Sequence, residues 1–109
     1  MKRKVLLEPE AQEDLDVTFD FIAKDNPPAA KKYIRELLIS ANTYAKNPEL
    51  GRAEFEISAR LDEQVRSFLY RNHRLFYVIA TDQIRIIRAL HTARDIEAIL
   101  RQHLERIKP

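Results

Sequence analysis

The sequence predicts an α+β fold: an N-terminal strand, an antiparallel helix hairpin, a three-stranded antiparallel meander and a C-terminal helix, with the helices packed on one mostly antiparallel sheet. Three observations lead there. Val65–Asp95 holds three runs rich in β-branched and aromatic residues, Val65–Tyr70, Arg74–Ala80 and Ile84–His91. The breaks between them, Arg71-Asn72-His73 and Thr81-Asp82-Gln83, are short and centred on residues that tolerate a hairpin's tight backbone. Upstream, apolar residues recur at helical spacing in two blocks parted by Lys24-Asp25-Asn26-Pro27-Pro28. Finally, 109 residues with 45% hydrophobic content suit a single domain, residues 1–109, with its own core.

Lys4–Leu7 is a short apolar run and reads as the first strand. Glu8-Pro9-Glu10 then opens a helix, because proline at the first helical position lacks only an N–H that would be unpaired there. Glu10, Glu13 and Asp14 favour the positive end of its dipole. Ala11, Leu15, Phe19 and Ile22 lie on one face, and Val17 and Phe21 widen the stripe. This helix is expected over Pro9–Asp25, and the next over Pro28–Lys46 with Asn26 as a candidate cap. The second helix places Ala30, Tyr33, Ile34, Leu37, Leu38, Ala41, Tyr44 and Ala45 on one face. The hairpin is expected to meet the sheet through Leu15, Phe19, Ile22, Ile34, Leu37, Leu38 and Ala41.

Glu49–Gln64 has no sustained period. Glu49-Leu50-Gly51-Arg52 reads as a turn with positive φ at Gly51. Phe55, Ile57 and Leu61 are expected to tuck under the sheet. In the last meander run, strict alternation puts Ile84, Ile86 and Leu90 on one face with Arg88, and Arg85, Ile87, Ala89 and His91 on the other. Neither face is purely polar, so both are expected to be covered. Asp95 or Thr92 caps the final helix, whose apolar face is Ile96, Ile99, Leu100, His103, Leu104 and Ile107.

Composition narrows the chemistry. The chain has no cysteine, hence no disulfide, thiolate nucleophile or thiolate metal site. Its single glycine, Gly51, argues against a glycine-rich phosphate loop. Lys2-Arg3-Lys4 precedes only Val5-Leu6-Leu7, too short for a secretory apolar region, and no run is long enough for a membrane helix. A cytoplasmic protein without membrane association is expected. The net charge of +2 hides an asymmetry: seven acidic residues and one lysine between Glu8 and Asp25, but eight arginines and five acidic residues between Arg52 and Arg94. Such a basic half suits an anionic partner or target.

Five pieces in order carry a family resemblance. They are Val5-Leu6-Leu7-Glu8-Pro9-Glu10-Ala11, Asp14-Leu15, Asp25-Asn26-Pro27, Asn47-Pro48-Glu49-Leu50-Gly51-Arg52, and Arg74-Leu75-Phe76-Tyr77 through Ile87-Arg88-Ala89-Leu90-His91-Thr92-Ala93-Arg94-Asp95. From Val5 to about Leu100 the chain resembles the ParE branch of the RelE/ParE toxins of bacterial type II toxin–antitoxin systems, with His91–Asp95 the most specific part. It departs from the pattern at Glu8, where a serine cap is common, and in a final helix that runs past the usual end. The resemblance implies a small toxin neutralised by a cognate ParD-like antitoxin, with operator DNA reached only through that antitoxin. ParE-like members are reported to poison DNA gyrase, whereas RelE-branch relatives cut messenger RNA on the ribosome.

Residue types allow both activities to be weighed. Cleaving RNA through its 2′-hydroxyl needs a base, an acid and cationic stabilisation. His73, His91, Tyr70 and Tyr77 are available types, but the stretch has no lysine, and its one acid before Asp95 is Asp82 at a hairpin tip. RelE-branch nucleases place lysine, arginine and a terminal tyrosine or histidine around the sheet, while this chain ends in a helix. The preferred reading is therefore a non-catalytic gyrase inhibitor, with the ribosome-dependent endoribonuclease as the alternative and a toxin-like scaffold without toxicity as a third. His73, His91 and His103 lack zinc-ligand spacing, so no metal and no cofactor is expected. His103 reads as a packed residue, and Tyr33 and Tyr44 as core. His91 reads first as a hydrogen-bonded tie between the last strand and the final helix.

Arg71, Arg74, Arg85, Arg88 and Arg94, together with His91, are the residues expected to face the target, since arginine's planar fork suits carboxylate or phosphate. The alternative for each arginine is an intramolecular pair, with Glu54, Glu56 or Glu63 as partners. An antitoxin segment that folds on binding is expected to cover apolar helix and sheet surface at Leu15, Phe19, Ile22, Tyr33, Leu37, Ile84 and Ile87.

Overall fold

The computed structural model describes residues 3–107; Lys2 and the Ile107 side chain lie outside the described residues. The elements run β1 (Lys4–Leu7), α1 (Pro9–Ala23), α2 (Pro27–Lys46), a 3₁₀ turn (Pro48–Leu50), β2 (Arg52–Ala53), α3 (Phe55–Leu61), β3 (Val65–Tyr70), β4 (His73–Ile79), β5 (Gln83–His91) and α4 (Ile96–Ile107). The expected α+β order is present. The sheet has the order β1-β5-β4-β3-β2. β1 pairs parallel with β5, and the other neighbours are antiparallel.

The sheet is covered on both faces, and β4 shows it directly. Leu75 and Tyr77 enter a core with Ala11 and Leu15 of α1 and Leu37, Ala41 and Ala45 of α2. Phe76 and Val78, the alternate residues, enter a second core with Ile57 of α3 and Leu100 and Leu104 of α4. Leu38, expected at the hairpin–sheet contact, is half-buried against the first core.

Local chemistry explains the boundaries. Asn26 Oδ1 accepts the Ala29 N–H at 3.1 Å and starts α2, so α1 stops at Ala23 rather than at Asp25. Asp95 Oδ1 accepts the Ala98 N–H at 3.1 Å and caps α4. The β3–β4 turn narrows to Arg71-Asn72 because Tyr70 already pairs with His73, and Arg71, not Asn72, takes the left-handed conformation at φ 50°.

Several expectations are corrected. Gly51 has φ −69°, so positive φ does not explain it. A Cβ there would lie 2.9 Å from the Ser67 carbonyl oxygen and closer still to the Tyr77 hydroxyl, which donates to the Pro48 carbonyl. The glycine thus lets the turn press against β3 and β4. Phe55 is exposed, because α3 turns Ile57 and Leu61 inward and leaves Phe55 about half a turn away. Val17 and Phe21 face solvent on α1 for the same reason.

The alternation along β5 also breaks. Tyr77 pairs with Ile86 while Phe76 pairs with Arg88, leaving Ile87 as an extra residue in a β-bulge. Beyond it the faces exchange: Ala89 joins Ile84 and Ile86 in the hairpin-side core, and Leu90 joins Ile87 on the other side.

Candidate functional site

One end of the sheet gathers several of the residues expected to face a target. His73 and His91 are register partners on β4 and β5. The Thr92 N–H donates to the Asn72 carbonyl oxygen at 2.7 Å, which ties the β3–β4 turn to the chain leaving β5. Arg71, His91 and Arg94 are all exposed on these segments. Arg71 also lies over the Tyr70 ring, 5.8 Å from its centroid, and its Nε donates to the Tyr70 hydroxyl at 3.3 Å. The result is a cationic surface on a backbone held by hairpin and cross-strand bonds.

Behind it lies a histidine whose protonation follows from its partners. Thr18 Oγ1 donates its one proton to the Asp14 carbonyl at 3.0 Å. Its 3.1 Å contact with His73 Nε2 therefore requires the ring N–H to donate. Nδ1 is then the bare nitrogen and accepts the Tyr33 hydroxyl proton at 2.6 Å. In the neutral ring this is the Nε2–H tautomer, and burial, followed by the nearby His91, disfavours the charged form by pushing the pKa down. Burial pushes the Tyr33 hydroxyl up. Both groups are occupied in joining α1, α2 and β4. Thr18 carried no signal in the sequence beyond its spacing of four from Asp14.

His91 packs edge-on to His73, with centroids 5.1 Å apart, and its Nδ1 accepts the Ala93 N–H at 3.0 Å. That bond ties β5 to the α4 connection and leaves the rest of the ring at the surface. No cluster of metal-ligating side chains exists among the described residues.

The other expected target contacts lie elsewhere. Arg88 is internal: its Nε and Nη2 meet the two Asp14 carboxylate oxygens at 2.8 Å each, and the Ala89 N–H donates to the same carboxylate at 2.9 Å. That pair corrects the expectation of a target-facing Arg88, and it raises the arginine's pKa further. Arg85 is drawn to Glu63 at 3.2 Å and Glu8 at 3.5 Å. Arg74 points into a different region, between α3 and α4.

Of the residues expected to meet an antitoxin, Leu15, Leu37, Ile84 and Ile87 are buried in the two cores, so they hold the fold and present no free surface. The periodicity that marked them as apolar was the signal of a core already filled by the chain itself. Phe19, Ile22 and Tyr33 are half-buried, while Val17 and Phe21 on α1 are exposed.

Comparison with known proteins places this geometry. A family model described as the ParE toxin of type II toxin–antitoxin system, parDE, matches residues 5–96. Toxin ParE1 of Mycobacterium tuberculosis, from strains CDC 1551 / Oshkosh and ATCC 25618 / H37Rv, is 34% identical over 102 residues, covering 89% of this chain and 97% of the relative. A solved structure, the chromosomal ParDE TA system from P. aeruginosa, superposes with a TM-score of 0.63 at 17% identity, covering 83% of this chain and 96% of the other. That likeness is one of fold.

Proposed function

The chain belongs to the ParE toxin family of type II toxin–antitoxin systems, and from that premise we propose that it acts in the cytoplasm by binding DNA gyrase directly, without catalysis of its own, and is neutralised by a ParD-like antitoxin. The single observation that supports the non-catalytic reading is the commitment of His73, one of the two histidines paired at the sheet end. Both of its ring nitrogens are engaged, by Tyr33 at 2.6 Å and Thr18 at 3.1 Å, and it is buried. A general base must reach a substrate proton, and this one has no free nitrogen to offer. What remains at the surface is Arg71, His91 and Arg94, a set suited to gripping an acidic protein patch. The half-buried Phe19, Ile22 and Tyr33 are the hairpin surface offered to the antitoxin, and the exposed Val17 and Phe21 add apolar surface on another side of α1.

The test uses purified toxin in two assays. Gyrase supercoiling of relaxed plasmid is expected to fall, while messenger RNA on translating ribosomes stays intact. The double variant Arg71→Glu/Arg94→Glu is expected to weaken gyrase inhibition at least about tenfold, the equivalent of losing a contact worth about 1.4 kcal/mol. Cut messenger RNA with normal supercoiling would overturn the proposal in favour of a nuclease.

A further inference from the structure

The second core is thinner than the first. Leu37 and Leu75 on the hairpin side are 0% exposed, whereas Ile57, Leu100 and Leu104 under α3 and α4 keep 7–8%. The reason is a groove of about 420 Å³ between α3, α4 and the sheet, floored by Ile57, Phe76, Leu100 and Leu104. Most of the charges at its rim are already satisfied: Arg52 meets Glu54 at 3.0 Å, and Arg101 meets Glu97 at 3.2 Å. Arg74 is different. It is half-buried in the groove wall and forms no ion pair among the described residues. Its one hydrogen bond, at 2.8 Å, runs from Nη1 to Ser67 Oγ, whose own proton goes to Glu54 at 2.7 Å. Burial, and then Arg52, pushes its pKa down, so the cation is held at a cost with most of its donors unfilled.

We propose that this groove is a second seat for the antitoxin, receiving an apolar segment that carries one carboxylate, which Arg74 binds through its guanidinium fork. The proposal rests on the reading of the chain as the toxin of an antitoxin-neutralised pair. The floor asks for aliphatic or aromatic side chains, and Arg74 asks for a planar anion. Glu54, Glu56 and Glu97 at the rim are matched in number by Arg52, Arg60 and Arg101, so Arg74 is the one cation in excess, which favours a peptide with a single acid over RNA with a charge at every unit. The segment would fill the space that leaves α4 incompletely packed, while the hairpin surface engages another part of the antitoxin.

The probe is the antitoxin that co-purifies with the chain when the native locus is expressed. In the wild-type complex, hydrogen exchange is expected to slow in α3 and α4 as well as in the hairpin. Arg74→Gln, with a melting temperature near wild type, is expected to raise the Kd by about ten- to a hundredfold, and Arg74→Lys, which keeps the charge without the fork, by an intermediate factor. Protection confined to α1 and α2, with growth arrest by the toxin intact, overturns the groove and leaves the toxin reading standing. An unchanged Kd for Arg74→Gln does the same. Arg74-dependent retention of a single-stranded RNA oligonucleotide, with antitoxin affinity unaltered, overturns the peptide seat in favour of nucleic acid. Failure of any antitoxin to co-purify from the locus overturns both readings.

Discussion

Replacing Asp14 tests how the two faces of the sheet are held together. Its carboxylate does three things at once: it takes both Arg88 bonds at 2.8 Å and the Ala89 N–H at 2.9 Å. The side chains of Arg88 and Asp14 are only 10% and 8% exposed, so little water can replace a lost partner. Asp14→Asn keeps an oxygen for the Ala89 N–H but leaves the arginine charge buried and uncompensated. The expected loss is about 3 kcal/mol, near the lower end for removing one member of a buried pair. Asp14→Ala also orphans the Ala89 N–H, and the expected loss rises to about 4–6 kcal/mol once an unmade bond of roughly 1–3 kcal/mol is added. Domains of this size have total stabilities of about 5–15 kcal/mol, so the alanine variant removes about a quarter or more. In urea, with a slope of about 1.5–2 kcal/mol per molar, the midpoint falls by roughly 2 M or more for the alanine variant. The control is Asp14→Asn/Arg88→Met, which removes both charges and is expected to recover at least half of the asparagine variant's loss. An alanine variant within about 1 kcal/mol of wild type, or a double variant no better than Asp14→Asn alone, would refute this account.

Two further predictions concern stability. Gly51→Ala is expected to cost about 1–3 kcal/mol in chemical denaturation, because its Cβ meets the backbone of β3 at 2.9 Å and the Tyr77 hydroxyl; a neutral substitution would mean that the turn yields freely. Stability is also expected to fall as pH drops below about 7. His73 and His103 both have folded pKa values lowered from 6.5, each chiefly by burial. In the window from 6.5 down to the lowered values, the unfolded chain takes up protons that the folded chain refuses. The slope is at most about 1.4 kcal/mol per pH unit for each group, and it flattens below the folded pKa. Thermal unfolding across pH 5–8 measures it, His73→Gln should remove part of the slope, and a flat profile would contradict the neutral tautomer.

The fold was legible wherever one residue's neighbours in sequence decide its environment. The hairpin helices follow from spacings of three and four, and Asn26 caps α2 from three residues away. β4 was legible as a run rich in β-branched and aromatic residues between two short breaks. The rest depended on distant partners. Nothing in Val5-Leu6-Leu7 says that it pairs parallel with Ile84–Ile86. A seven-residue helix such as α3 shows too few turns to reveal a period, so Phe55 and Ile57 looked alike. The bulge at Ile87 has no local marker, and one extra residue exchanged every later assignment on β5. The candidate site was legible as a choice of residue types. Which arginine faces out was legible only in part: Glu63, an expected partner, does claim Arg85, but the acid that claims Arg88 lies 74 residues away at Asp14.

That sorting has a functional consequence. β5 carries Arg85 and Arg88 three residues apart, and regular alternation would put them on opposite faces of the sheet. The bulge swings Arg88 into the Asp14 carboxylate, while Arg85 is held near the surface by Glu63 and Glu8. Both are thereby spent on the fold. Of the five arginines expected to face the target, the three that form no ion pair among the described residues are divided: Arg71 and Arg94 at the sheet end, Arg74 in the groove between α3 and α4. A chain whose charge count suggests one broad basic surface presents two separate ones, joined through the β3–β4 hairpin but differing in shape. The sheet end is exposed and cationic, and suits an acidic patch. The groove has an apolar floor and one half-buried, unpaired cation in its wall, and suits an inserted segment. On the proposed reading, a toxin that must be gripped by an antitoxin and also grip a target can use one surface for each, and neutralisation then need not compete residue for residue with target binding.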